Sequence, residues 1–143
     1  MKQRDDFSPA FTGGEPGEQR LMATALLVGA SAARDPYASR RAVDVYDAKA
    51  DAEAVLAAIG APAKVQISRK VAEGWHPGRA GVMGLGPNAI CAFGEVHPRV
   101  LKAMDVKGPA VAFTVHVEAA PFPKAKVPTR PALAISALQA VER

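Results

Sequence analysis

The chain has 143 residues, of which 49% are hydrophobic and 22% are charged, and these values predict one globular domain and exclude a disordered chain. Lys and Arg number 18 against 14 Asp and Glu, so the net charge is +4, which permits contact with nucleic acid without requiring it. The single cysteine, Cys91, excludes an internal disulfide and a multi-cysteine zinc site.

The N-terminal part of the chain combines an irregular stretch with one apolar run. Residues 1–19 are rich in Gly, Pro and acidic side chains, which predicts an irregular lead-in. Residues 20–29 are mostly apolar and favour a buried strand, although periodicity does not separate a strand from a helix in so short a run. The first residues are charged and lack the apolar core of a signal peptide, so we expect a cytoplasmic protein.

The clearest helix of the sequence lies between Asp47 and Gly60. Asp47 is the predicted N-cap, and acidic residues follow it where the helix dipole favours negative charge. Gly60 ends the helix, because glycine readily adopts the left-handed conformation found there. Apolar residues recur at helical spacing and predict one buried stripe, which consists of Ala52, Val55, Leu56 and Ile59.

The second half of the chain has the pattern of short strands around one short helix. Val65 and Ile67 alternate with polar neighbours, which predicts a half-buried strand. The apolar runs on both sides of residues 86–88 predict a β-hairpin. Pro98 begins a short helix with Val100, Leu101 and Met104 on one face, and alternating apolar residues at 111–117 predict another strand. The expected fold is α+β, with a mostly antiparallel sheet flanked by helices.

His76 and His97 stand at the two ends of the predicted hairpin, each directly before a proline. Hairpin ends are adjacent in space, so a small metal-dependent hydrolase that uses these histidines and Glu95 is one functional hypothesis. However, the sequence has no H-x-x-x-H and no histidine–carboxylate motif, and a residue before proline is extended. We therefore interpret both histidines as strand-end residues that enter turns.

Basic side chains support a second hypothesis, a stand-alone RNA-binding module. Cationic side chains contact phosphate, and such binding depends steeply on salt. The candidates for contact with an RNA backbone are Arg40, Arg41, Arg69, Lys70 and Arg79. The glycines at 81, 84 and 86 match neither the dinucleotide-binding nor the phosphate-loop spacing, and no nucleophile-elbow motif occurs. The residues therefore indicate no catalytic, cofactor-binding or metal-binding position, and no apolar stretch approaches the length of a membrane span.

Several segments, taken in order, resemble the β chains of bacterial phenylalanyl-tRNA synthetase (phenylalanine–tRNA ligase). Residues 43–60, VDVYDAKADAEAVLAAIG, resemble the segment of that family in which a strand end runs into a D-x-K-x-D-x-E helix. Residues 75–119 resemble its HPGR…GE-hydrophobic-HP-x-V-L segment and the following strand. Residues 137–143 resemble the entry to its last domain. The resemblance covers the chain from about Arg20 onward.

The resemblance implies a fragment of the C-terminal, class II synthetase-like core of that β chain. Such a core has lost its catalytic residues and is a structural partner of the α chain in an (αβ)₂ heterotetramer. The parent enzyme attaches phenylalanine to its tRNA, with ATP and magnesium bound elsewhere and no cofactor in this segment. Residues 20–120 would form the core domain and residues 121–143 a proline-rich basic linker toward an anticodon-binding domain. We expect no membrane partner, and we expect self-association of the isolated fragment through exposed apolar faces.

Overall fold

The structure is a computed structural model that describes residues 2–32, 35–37, 39–62 and 64–121, with side chains from residue 9 onward. Its strands are β1 (Lys2–Phe11), β2 (Gln19–Val28), β3 (Gln66–Ser68), β4 (Trp75–Leu85), β5 (Asn88–Val96) and β6 (Ala110–His116). Its α-helices are α1 (Val45–Ala58) and α2 (Pro98–Ala103). The predicted linker, residues 121–143, lies outside the described residues apart from Pro121.

One antiparallel sheet contains all six of these strands, in the order β1-β2-β6-β5-β4-β3. The expected α+β fold with an antiparallel sheet is therefore confirmed. Within the described part of the chain, no helix is long and apolar enough to cross a membrane.

The sheet face that packs against α1 holds the main core. Directly opposed residues of neighbouring strands share a face, so one row crosses four strands, from Ala25 through Phe113 and Phe93 to Gly81. From the helix, Ala52 and Leu56 are buried in the same cluster. A buried phenylalanine contributes about 1.5–3 kcal/mol relative to an exposed one, so this row and the helix stripe above it are major contributors to the stability of the fold.

The predicted helix is confirmed, but its N-cap is Asp44 and not Asp47. Asp44 has extended backbone, and its carboxylate accepts hydrogen bonds from the backbone N–H groups of Tyr46 (2.8 Å) and Asp47 (3.3 Å). The Asp47 carboxylate accepts in return from the Asp44 N–H at 2.9 Å, which completes a capping box. Gly60 follows the helix with φ of +75°, as predicted. Of the predicted stripe, Ala52 and Leu56 are buried, while Val55 and Ile59 pack partly buried against the core.

The prediction of an irregular lead-in over residues 1–19 is wrong for most of that segment. β1 pairs with β2 over its whole length, from Lys2 opposite Val28 to Phe11 opposite Gln19. The glycines and Pro16 lie in the connection between the two strands, residues 12–18, whereas Pro9 lies within β1, where an edge strand tolerates proline. The acidic residues are compatible with the strand because β1 is at the edge of the sheet and pairs on one side only.

Two smaller expectations also differ from the structure. The strand predicted around Val65 and Ile67 forms only over Gln66–Ser68, and all three of its residues are exposed, because α1 packs over the central strands and not over β3. Pro98 begins α2 as predicted, but Met104 is 69% exposed, because α2 ends at Ala103 and Met104 is its C-cap.

The predicted hairpin is confirmed as β4 and β5 joined at Gly86-Pro87. Gly94 in β5 illustrates the close backbone approach that glycines in this segment predict. Its φ is +151°, and a Cβ built there would overlap Ala80 and lie 2.7 Å from the Arg79 carbonyl oxygen. The positive φ is strained for any residue with a side chain, and the packing against β4 leaves no space for one.

We expect Gly94→Ala to lower the free energy of unfolding by about 3 kcal/mol, through backbone strain and overpacking against β4. Urea unfolding followed by circular dichroism measures the change. The matched control is Gly14→Ala, where no atom lies within 4 Å of the added methyl, and its effect should stay below about 0.5 kcal/mol. Equal effects of the two substitutions would contradict the close contact.

Candidate functional site

The start of α1 is the most strongly ion-paired part of the described chain. The Arg41 guanidinium donates to both carboxylate oxygens of Asp47, with 2.7 Å between Nη1 and Oδ2, and to Asp44 at 3.2 Å. The hydrogen bond from Arg41 holds the pKa of the Asp47 carboxyl below its ordinary value, against the opposing effect of partial burial. The same bond raises the pKa of Arg41. Arg41 therefore has an intramolecular partner that phosphate would have to displace.

A second candidate arginine is also paired. Arg79 in β4 donates to both oxygens of the Glu95 carboxylate in β5, at 3.2 and 3.1 Å. The pair joins the two strands of the hairpin, and its members are partly exposed to solvent. Glu95, which the hydrolase hypothesis requires as a free carboxylate, is thus engaged with an arginine.

The remaining basic candidates, Arg40, Arg69 and Lys70, are exposed. None of these three forms an ion pair with another residue in the part of the chain that the structure describes. Arg69 and Arg79 line one cleft of about 280 Å³, whereas Arg40 and Arg41 lie before α1. The structure therefore brings two of the five candidates together, and their contact with RNA stays a prediction.

The same cleft contains two residues that the sequence did not single out. Tyr46 and Lys49 line it from α1, and Tyr46 is 72% exposed. Residues three apart on a helix are surface neighbours, so this spacing was a signal that Tyr46 and Lys49 share one side of α1. Whether Tyr46 and Lys49 come close to Arg69 depends on the position of α1 on the sheet, which this spacing does not predict.

Each histidine of the hairpin holds a local turn. The His97 Nδ1 accepts from the Arg99 N–H at 3.1 Å and so caps α2, and the His97 N–H donates to the Gly74 carbonyl at 2.8 Å. The His76 Nδ1 accepts from the Gly78 N–H at 3.2 Å. Among the described residues, no group of three or more His, Cys, Asp or Glu side chains is arranged to hold a metal ion.

Cys91 is buried within the sheet core. Burial raises the pKa of its thiol to about 12, because the low-polarity surroundings disfavour the thiolate. The thiolate is the reactive form of cysteine, so the folded chain holds this side chain in its unreactive state.

Comparison with known proteins gives one consistent result. Residues 5–117 match the family model described as the phenylalanyl tRNA synthetase beta chain CLM domain. Similar proteins include the phenylalanine–tRNA ligase β subunits of Cereibacter sphaeroides (72% identical over 138 residues), Ruegeria pomeroyi (61% over 139 residues) and Rhodospirillum rubrum (44% over 140 residues). Each alignment covers 96% of this chain but only 17% or 18% of the relative. The chain thus spans less than a fifth of the length of these relatives.

We expect Asp47→Asn to lower the free energy of unfolding by about 1 kcal/mol at neutral pH, since it removes one of the two charged partners of Arg41 and weakens the capping box. A carboxyl with a lowered folded-state pKa stabilises the fold above its ordinary pKa of 3.8 and loses that effect as the pH falls through the lower value. The difference between variant and parent should therefore shrink below about pH 4. Urea unfolding at several pH values tests this, with exposed Glu73→Gln as the control for charge removal.

Cys91 should react with a disulfide reagent at least about a hundredfold more slowly in the folded chain than in denaturant, because reaction needs an exposed thiolate. The release of the chromogenic thiol over time measures the rate. Addition of denaturant should remove the protection. Fast reaction of the chain while its circular dichroism remains that of the folded state would contradict the burial.

Proposed function

The chain belongs to the family of phenylalanyl-tRNA synthetase β chain CLM domains, and on this basis we propose that it is a non-catalytic assembly domain of a phenylalanine–tRNA ligase β subunit. The observation that carries the proposal is the 72% identity to one such subunit over nearly the whole chain, together with the family match over residues 5–117. The parent enzyme would attach phenylalanine to its tRNA at the expense of ATP.

The roles of the polar side chains support a structural function. Arg41 and Arg79 are paired with carboxylates that lie on neighbouring elements of the same domain. His76 and His97 each use Nδ1 to accept from a backbone N–H two residues further on. A general acid, base or nucleophile needs a group free to reach a substrate, and these side chains instead hold the domain together.

The proposal extends to the fold and to the assembly. A six-stranded antiparallel sheet with a helix packed on one face supports a relationship to the class II synthetase core. The α chain would be the partner in an (αβ)₂ heterotetramer in the cytoplasm, with ATP, magnesium and tRNA bound by other parts of the complex. Because β1 pairs with β2 in the same sheet, the core-like domain would include residues before 20 as well as residues 20–120, followed by a linker from residue 121.

Self-association of the isolated chain is part of the same proposal. The sheet face opposite α1 carries a row of small, partly exposed side chains that runs from Thr24 through Thr114 and Ala92 to Val82. Light scattering should show a mass that rises with concentration if the apolar members of this face, Ala92 and Val82, meet a second copy of the chain. A strict monomer over a broad concentration range would contradict it.

An RNA-binding module is the second candidate, and the exposure of Arg40, Arg69 and Lys70 favours it. Phosphate contacts release counterions, so binding of tRNA to the chain should fall steeply between low and moderate salt if this candidate is right. Filter binding of tRNA at the two salt concentrations tests this candidate. Absence of binding at low salt would exclude the RNA-binding module, whereas an assembly domain need not bind tRNA by itself.

A chimeric ligase tests the leading proposal. We expect the Cereibacter sphaeroides β subunit to assemble with its α subunit and to aminoacylate tRNA when its matching segment is replaced by residues 5–117 of this chain. Arg79→Ala and His97→Ala in the chimera should change kcat by less than about threefold, since loss of a catalytic acid or base costs 10² or more.

Aminoacylation by the chimera and its elution with the α subunit on gel filtration are the two measurements. A hundredfold fall in kcat with the assembly intact would assign one of the two residues to catalysis. Formation of phenylalanyl-tRNA by the 143-residue chain alone would also contradict the proposal.

A further inference from the structure

The cleft of about 280 Å³ beside the start of α1, which we call the basic cleft, has a positively charged lining. Its cations are Lys49 of α1, Arg69 directly after β3 and Arg79 of β4, and none of the described residues that line it is an Asp or Glu. Glu53 and Glu95, which pair with Lys49 and Arg79, lie outside the lining. The basic cleft therefore favours an anionic ligand.

The ion pairs around the basic cleft leave one of its cations unmatched. Lys49 meets Glu53 at 3.3 Å, and Arg79 meets Glu95 at 3.1 Å. Arg69 forms no ion pair with any other residue that the structure describes. A phosphodiester carries one negative charge, whereas a phosphate monoester carries nearly two at neutral pH. The charge of Arg69 therefore suits one phosphodiester of a nucleic acid strand.

An exposed aromatic side chain lines the same cleft. Tyr46 contributes to the lining from the first turn of α1 and is 72% exposed. Its backbone N–H donates to the Asp44 carboxylate at 2.8 Å, so the helix turn that carries the ring is capped. Unpaired bases stack on aromatic side chains of this kind, whereas the bases of a duplex already stack on one another. The ring therefore favours a single strand.

The strand side of the basic cleft consists of small residues and one hydroxyl group. Gly78, Ala80 and Gly81 of β4 line it, and a Cβ at Gly81 would lie 3.1 Å from the Phe93 ring. Ser68 of β3 adds a hydroxyl that both donates and accepts hydrogen bonds. The small side chains keep the space between the helix and the sheet edge open, with a cation and an aromatic ring on its two sides.

We propose that the basic cleft binds one unpaired nucleotide of an RNA strand, with its phosphodiester at Arg69 and its base stacked on Tyr46. An acidic peptide would meet the same cations, but its carboxylate side chains offer no flat surface to the ring. The inference deepens the RNA-binding candidate and rests on it, not on the assembly role. It assigns the contact to a cleft that contains Tyr46 and Lys49 in addition to the arginines.

The test is a titration of a labelled single-stranded RNA of about ten nucleotides with the 143-residue chain, followed by fluorescence anisotropy at low salt. The single strand should bind at least about tenfold more tightly than the same sequence in a duplex, because only unpaired bases stack on a side chain. Adenosine monophosphate should compete weakly, since its phosphate carries nearly two charges. Competition at the concentration of the strand itself would overturn the assignment to a strand.

Variants of Tyr46 test the stacking. Tyr46→Ala should weaken binding at least about fivefold, and Tyr46→Trp should keep it within about twofold because an aromatic face remains. The matched control is Tyr37→Ala, since Tyr37 is 97% exposed and does not line the basic cleft. It should leave binding within about twofold of the parent chain. Circular dichroism should show an unchanged fold for all three variants, because both tyrosines are exposed.

Variants of Arg69 test the phosphate contact. Arg69→Ala should reduce the slope of log K against log salt concentration by about 0.7, the value for one phosphate of a single strand. Arg69→Glu should weaken binding at least about tenfold. Lys102→Glu makes the same charge change at an exposed position of α2 and, as the matched control, should leave binding within about threefold.

Two further outcomes would overturn the inference: duplex and single strand bind equally well, or a glutamate homopolymer binds with the same dependence on Tyr46 and Arg69. Failure of the basic cleft is distinguishable from failure of the RNA-binding candidate. If tRNA binds with a steep salt dependence that Tyr46→Ala and Arg69→Glu leave unchanged, only the assignment to the cleft fails. If neither tRNA nor the oligonucleotide binds at low salt, both fail, and an active chimeric ligase still supports the assembly role.

Discussion

The packing of α1 on the Phe93–Phe113 row is the contact on which the rest of the structure depends. Gly81 lies opposite Phe93, and a Cβ at Gly81 would lie 3.1 Å from the Phe93 ring, so the missing side chain makes room for the aromatic one. Two of the three buried residues of the helix, Ala48 and Ala52, are alanines, and such small side chains allow the helix to lie close to the sheet. The first turn of α1 carries Asp47, which pairs with Arg41. The side of α1 with Tyr46 and Lys49 faces β3 at the edge of the sheet.

This arrangement explains the positions of the ionic contacts among the residues that the structure describes. The Arg41 cluster stabilises the start of the helix that covers the core, and the Arg79–Glu95 pair joins the hairpin that carries Phe93. Both sets of charges lie at the ends or edges of elements, where they fix the position of one element against another. A domain built in this way presents rigid surfaces, which supports the proposed assembly role in a ligase β subunit.

Local patterns were sufficient for the elements whose signals lie within a few residues. The helix that ends at Gly60, the hairpin around Gly86 and the helix that begins at Pro98 were all predictable, because caps, turns and periodicity act between near neighbours. The predicted N-cap, Asp47, lies three residues after the true one, Asp44. Both residues are aspartates, which are favoured at N-caps, so the sequence does not distinguish them. β1 was missed because the glycines and proline of the following connection dominated the composition of the whole segment.

By itself, the sequence determined the α+β class, the main helix, the hairpin and the family to which the chain belongs, since these depend on short-range patterns and on the order of motifs. Only the tertiary structure decided which of the basic candidates form an ion pair with another described residue. Arg79 meets Glu95 through the register of β4 and β5, and Arg69 comes near Tyr46 and Lys49 because α1 crosses the sheet beside β3. Such contacts join residues far apart in the chain, and their geometry follows from how a helix of fixed width covers a wider sheet.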